Sequence, residues 1–156
     1  MTEVGIITCS NTVNELGCCS SRCLSDINEG SGNFARYAED GGVRLMGIIS
    51  CAGCPTAVAP EKVLRRVSAL AELGAKAIHI PNCMMFLCPF VNKYKSLIEA
   101  TYPDVTVVMG THEIIGDAEK TKEMFRGAAK DLLCQPRKTM TDIVKAVKDA
   151  QGLSDE

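Results

Sequence analysis

The chain has 156 residues, 46% of them apolar, which suits one domain with a proper core and no need of disulfide staples. Its 17 basic and 19 acidic residues leave a net charge of −2, and aromatic residues make up only 4%, so it lacks the cationic field and stacking rings of a nucleic-acid binder. No basic segment followed by an apolar stretch marks the start, and no apolar run approaches the roughly 18 residues of a membrane span, so a cytoplasmic protein is expected.

Val4 to Thr8 is a β-branched apolar run that predicts an interior strand, with Cys9-Ser10-Asn11-Thr12 as the loop beyond it. Asn14 to Cys23 is rich in small polar residues and reads as loop, carrying Cys18, Cys19 and Cys23. Leu24 to Asn28 predicts one or two helical turns. After the break at Glu29-Gly-Ser-Gly-Asn33, a short helix capped by Asn33 places Phe34, Tyr37, Ala38 and Gly41 on one face. Val43 to Ser50 is a near-continuous apolar run, expected for a strand covered on both faces, and it ends in the turn Cys51-Ala-Gly-Cys54.

Val63, Val67, Leu70 and Ala71 recur at helical spacing, with Pro60 in the first turn and Gly74 as C-cap. Ala75 to Ile80 predicts a third strand, followed by a second thiol loop from Pro81 through Cys83 to Cys88-Pro89. Leu97 and Ile98 mark another helix, ended by Pro103, and Val105 to Met109 a fourth strand leading into Gly110-Thr111-His112. A helix from about Asp117 to Cys134, a break at Pro136 and a terminal helix with Ile143, Val144 and Val147 on one face complete the chain.

Strands alternating with helices predict a doubly wound, Rossmann-like or flavodoxin-like α/β domain with a mainly parallel sheet of about four strands. The expected division is a core over residues 1–115 and a helical extension over 116–156 packed on the same domain. In such a sheet all strands end on one rim, where ligands bind. Cys9, Cys51, Cys83 and His112 each follow a strand, and Cys18, Cys19, Cys23, Cys54 and Cys88 lie in the adjoining loops.

All eight cysteines and His112 are therefore candidate metal ligands. Nine cysteines in a reducing compartment favour metal ligation or redox chemistry over structural disulfides. A single closed zinc site uses four ligands and leaves thiols over, so an iron-sulfur cluster is taken ahead of zinc. Sulfur-rich sites accept either. His112 is open to a ligand, acid/base or plain loop role, whereas His79 lies about 13 Å from Cys83 in extended geometry and is expected to be a hydrogen-bonded interior residue, or a group supporting the site from behind. Cys134 is expected to be a small buried hydrophobe.

Other motifs fail in context. Gly30-Ser-Gly-Asn-Phe-Ala35 matches a loose dinucleotide pattern without a strand before it. No cysteine is followed six residues later by arginine, which excludes the phosphate loop of cysteine phosphatases and arsenate reductases, and no Walker loop is present.

Gly5-Ile-Ile-Thr-Cys9, the Cys18 to Cys23 loop, Asn28-Glu-Gly30 with Phe34 and Tyr37, Gly47-Ile-Ile-Ser-Cys-Ala-Gly-Cys-Pro55, Ile78-His-Ile80 with Cys83, Cys88-Pro89 and Gly110-Thr-His112 together resemble the CGGC domain family, small proteins with a central Cys-Gly-Gly-Cys and scattered cysteines and histidines. The resemblance spans about Val4 to His112 and implies metal binding, often described as zinc-like, with no established reaction. The chain departs from the name-giving motif at Ala52, where the family has glycine. Two functions follow as expectations: a metal-binding protein for electron transfer, metal handling or sensing, working with a redox partner protein; or a dithiol-disulfide oxidoreductase built on Cys51 and Cys54, with Cys51, Cys54 and His112 as catalytic candidates. A third is a scaffold in which zinc replaces loop packing. The apolar faces of the C-terminal helices are expected to pack on the sheet or to pair two copies as a homodimer.

Overall fold

In the computed structural model, residues 1–54, 60–133 and 140–152 are described. Strand β1 (Thr2–Thr8) buries Val4 and Ile6 on one face of the sheet and Ile7 on the other, the alternation that β-branched residues support in an interior strand. It is paired on both sides, in parallel, with β2 (Val43–Ser50) and with β3 (Ala77–Ile80), and β3 pairs in parallel with β4 (Thr106–Met109). The order β2-β1-β3-β4 is that of a doubly wound α/β sheet, as the alternation of elements predicts.

One face of the sheet is covered by α3 (Glu61–Glu72) and α5 (Val91–Thr101), through Val63, Val67, Leu70, Tyr94 and Ile98. The other face is covered by α2 (Ser21–Glu29) and a 3-10 helix (Gly32–Tyr37), through Cys23, Phe34 and Tyr37. A third cluster joins α4 (Asn82–Leu87) to α6 (Ala118–Leu133) and α7 (Met140–Gln151): Phe86 meets Phe125, ring centroids 5.6 Å apart, beside Ala129 and Ile143. Among the described residues no helix is long and apolar enough to cross a membrane.

Several local expectations change. Strand β2 lies at the sheet edge, with Arg44 and Ile48 exposed, so its apolar run does not mark burial on both faces. Ser10–Asn14 forms a short helix, α1, where loop is expected, because the Cys9 carbonyl accepts both the Val13 N–H and the Thr12 hydroxyl. The second thiol loop is likewise a helix, α4, whose apolar residues Met84 and Phe86 are buried. Helix α2 begins at Ser21, which puts Cys23 in its first turn.

In the 3-10 helix residues three apart align, so Phe34 and Tyr37 are buried while Ala38 and Gly41 face solvent. In α7, Ile143 is buried and Val147 packs beside it, whereas Val144 is 43% exposed, since i and i+4 share a helical face and i+1 does not. Pro55, Cys134 and Pro136 lie outside the described residues.

Candidate functional site

The order of strands reverses between β1 and β3, and the crevice beyond their C-terminal ends is where a sheet of this kind binds ligands. Two groups of thiols border it.

The first group begins with a register shift. The β1–β2 pairing runs Thr2↔Val43 to Val4↔Leu45 and then slips by one, to Gly5↔Gly47 and Thr8↔Ser50. Met46 is the extra residue of this bulge. The slip brings Cys9 level with Cys51; without it, Cys9 would stand level with Ser50. The ladder continues past the strands, with the Cys51 N–H donating to the Thr8 carbonyl at 2.9 Å.

Both thiols are buried and hydrogen-bonded to each other. Donation from Cys9 draws Cys51 down to about 5, helped against burial by the Ser10 and Gly53 N–H groups, the former 3.4 Å from the sulfur. Cys9 moves the other way, because it holds the shared proton and is buried. Cys54 is exposed and accepts from the Asn11 side-chain amide at 3.5 Å. Cys88 packs against the core cluster that holds Cys9 and Cys51, and it is pushed up by burial, with added repulsion from Cys51 and Cys54.

The second group is Cys18, Cys23 and Cys83. Burial pushes Cys83 up to about 12, with the Cys23 and Cys18 thiols adding repulsion, and burial also raises Cys23. His112 joins this group: its Nε2 lies 3.9 Å from Cys23 Sγ, beside a 3.6 Å contact from Thr111 Oγ1 to the same sulfur. On its far side, His112 Nδ1 is hydrogen-bonded to Asp26 Oδ2. Thr12 stands between the groups, in contact with the Cys83 thiol and donating to the Cys9 carbonyl at 2.9 Å. Cys19 turns to solvent, where hydrogen bonds from Ser21 lower it, while the adjacent Cys18 is half-buried.

His79 takes the interior role expected of it. Its Nε2 meets the Tyr37 hydroxyl at 2.8 Å, its Nδ1 meets the Gly110 carbonyl at 2.9 Å, and it stacks on Phe34. Burial lowers it to about 4, so it is a neutral core residue at pH 7. Neither hydrogen bond involves a site thiol.

Sequence reasoning misses the supports of His112. Asp26 is 1% exposed and is held by Arg22 at 3.1 Å and the Ser31 hydroxyl at 2.9 Å. Asn82 Oδ1 accepts from the Thr111 and His112 N–H groups at 2.8 and 3.1 Å, while its Nδ2 donates to the His112 carbonyl at 3.1 Å. One signal was available for Asp26: in a helix it falls one turn after Cys23, on the same face.

A model of the CGGC domain matches residues 3–112, which takes in every strand and both thiol groups. The chain belongs to the CGGC domain family. No curated protein and no solved structure gives a significant match. Membership identifies a cysteine-rich domain and carries the family's expectation of metal binding.

It also explains the turn after β2. Ala52 and Gly53 both have positive φ, 68° and 91°, a pairing that suits two glycines and that Ala52 meets with a Cβ. The donor chemistry fits a thiophilic metal, as cysteines follow three neighbouring strands and lie in the adjoining segments on one rim of the sheet. Among the described residues, no three His, Cys, Asp or Glu side chains already converge as they would on an ion.

Proposed function

We propose that this CGGC domain binds metal through the thiols of its C-terminal rim, holding an iron-sulfur cluster or zinc for electron transfer, metal handling or sensing. The observation that carries the reading is that Cys9 and Cys51 stand level at the ends of β1 and β2 with Cys88 packed against the same core cluster, while Cys23 Sγ faces His112 Nε2 at 3.9 Å beyond β4. Cys9, Cys51, Cys54 and Cys88 make an all-sulfur set. Cys18, Cys23 and Cys83 make a second. Apolar filler has no cause to gather at the ends of three strands, and four thiolates are the usual holders of a cubane cluster.

Residue-resolved alkylation tests this. Anaerobic protein reconstituted with iron and sulfide, or with zinc, is expected to protect the cysteines of at least one set, while Cys19 alkylates as fast as in the metal-free chain. Equal labelling of all eight rim cysteines with and without metal contradicts the reading.

A second reading, dithiol-disulfide exchange, is favoured by the Cys9–Cys51 hydrogen bond, and it changes the pair from Cys51 with Cys54 to Cys51 with Cys9. The Cys51 thiolate attacks one sulfur of a substrate disulfide and expels the other as thiolate, forming a mixed disulfide. Cys9, losing its proton, then attacks Cys51 Sγ; a Cys9–Cys51 disulfide forms and the second substrate thiolate leaves. Two cysteines are oxidised and one disulfide is reduced to two thiols. Reduction of a model disulfide is expected to vanish in Cys51→Ser, to stop at a trapped mixed disulfide in Cys9→Ser, and to persist in Cys54→Ser. Equal rates in all three contradict it.

A further inference from the structure

Within the metal-binding reading, on which it rests, we propose that Asp26 is the positioning residue of a second, mixed-donor ion site, in which His112 Nε2 joins the sulfurs of Cys18, Cys23 and Cys83 apart from the all-sulfur set of Cys9, Cys51, Cys54 and Cys88.

His112 follows strand β4 in a turn whose backbone is fixed on several sides. Asn82 receives two N–H bonds from Thr111 and His112 and returns one to the His112 carbonyl, and the Asn33 N–H binds the Thr111 carbonyl at 3.1 Å. Gly32 lets the 3-10 helix approach this turn: a Cβ there would stand 2.6 Å from the Thr111 oxygen and 3.2 Å from the His112 Cα. The ring is fixed as well. A carboxylate oxygen accepts, so Asp26 Oδ2 holds a hydrogen on Nδ1, and Nε2 is the nitrogen facing Cys23.

A loop histidine without a task does not need a 1% exposed carboxylate, itself anchored by Arg22 and Ser31, to set its tautomer. A carboxylate behind a histidine is the usual support of a metal-binding imidazole, because it fixes ring orientation and raises ligand basicity. Cys23 Sγ and His112 Nε2 stand 3.9 Å apart, a separation that two ligands of one ion can keep, and Cys18 and Cys83 would complete the set on capture of the ion. Three sulfurs with one nitrogen and four sulfurs both accept a divalent cation such as zinc or cobalt(II), and the all-sulfur set also suits a cubane cluster.

Anaerobic titration of the metal-free full chain with cobalt(II), followed by absorption and mass spectrometry, tests the assignment. Two ions per chain are expected. Asp26→Asn and His112→Gln are expected to weaken one of them about 10- to 100-fold and change its ligand-field bands, leaving the other intact; Cys51→Ser is expected to do the converse. Uptake of a single ion by the wild type, or two ions unaffected by either Asp26→Asn or His112→Gln, overturns this inference and leaves the metal-binding reading standing. No uptake at all overturns both. Should Asp26→Asn fail to fold, the nitrogen-15 shifts of His112 in the metal-free wild type decide: a hydrogen on Nδ1 is expected, and one on Nε2 overturns the assignment.

Discussion

Cys9 and Cys51 stand side by side at the ends of neighbouring parallel strands because one extra residue, Met46, slips the β1–β2 register by one position. Their shared proton separates the two thiols: Cys51 ionises at about 5, and Cys9 keeps its hydrogen well above the ordinary value of 9.0. Reduced, metal-free protein at neutral pH is thus expected to absorb near 240 nm as one extra thiolate, an absorbance lost on titration through about pH 5 and lost at neutral pH in Cys9→Ala. Stability follows the same proton. Between about 5 and 9 the unfolded Cys51 binds a proton that the folded one does not, so Cys51 adds stability as pH rises through that window. Above 9 the unfolded Cys9 releases a proton that the folded one retains, and stability falls. Denaturant midpoints across pH 5 to 10 check the sign.

Ala52 stands at φ 68°, where an L-residue is strained by roughly 1–2 kcal/mol. Ala52→Gly, which restores the family motif, relieves that strain but adds backbone entropy to the unfolded chain, about 0.5–1 kcal/mol. A net gain of about 0.5–1 kcal/mol is expected in urea unfolding. A loss of stability would show that the methyl makes contacts worth more than the strain.

Gly30 and Gly32 have nearly the same φ, 62° and 56°, in different surroundings. A Cβ on Gly30 meets nothing within 4 Å, so Gly30→Ala is expected to cost about 1 kcal/mol for the backbone alone. In Gly32→Ala the Cβ also presses on the Thr111 carbonyl, which the backbone of the His112 turn cannot yield cheaply, and a cost of about 2 kcal/mol or more is expected. Chemical denaturation of the pair separates backbone strain from steric contact.

His79 gives a pH dependence of its own. Burial lowers it to about 4 from 6.5, so between those values the unfolded chain binds a proton that the folded one refuses. Stability is expected to fall by up to about 3 kcal/mol as pH drops from 6.5 to 4 and to be insensitive to this residue above 6.5. Tyr37→Phe strips the donor from a buried ring nitrogen and is expected to cost about 1–3 kcal/mol at pH 7, read from the unfolding midpoint.

The four strands were legible because β-branched apolar runs such as Val4 to Thr8 alternate with helical periodicities such as Val63, Val67 and Leu70. The thiols beyond β1, β2 and β3, and His112 beyond β4, were legible with them. Exposure of β2 was not, since an apolar run such as Leu45 to Ile49 reads the same at a sheet edge as inside it. Helices α1 and α4 were hidden by small polar residues and prolines that ordinarily mark loops. The pairing of Cys9 with Cys51 depends on the Met46 bulge, which leaves no periodic trace. Asp26 was hidden for a simpler reason: one acid on a short polar helix looks like solvated surface until its neighbours are placed.

The central claim is that the rim thiols hold metal, and the most direct measurement is the content of iron, zinc and acid-labile sulfide per chain in protein purified without oxygen. The account predicts at least one equivalent of bound metal: iron with matching sulfide and visible absorption for a cluster, or zinc without sulfide. Protein that emerges colourless and free of metal, and takes up neither zinc nor iron with sulfide when they are supplied, would contradict it.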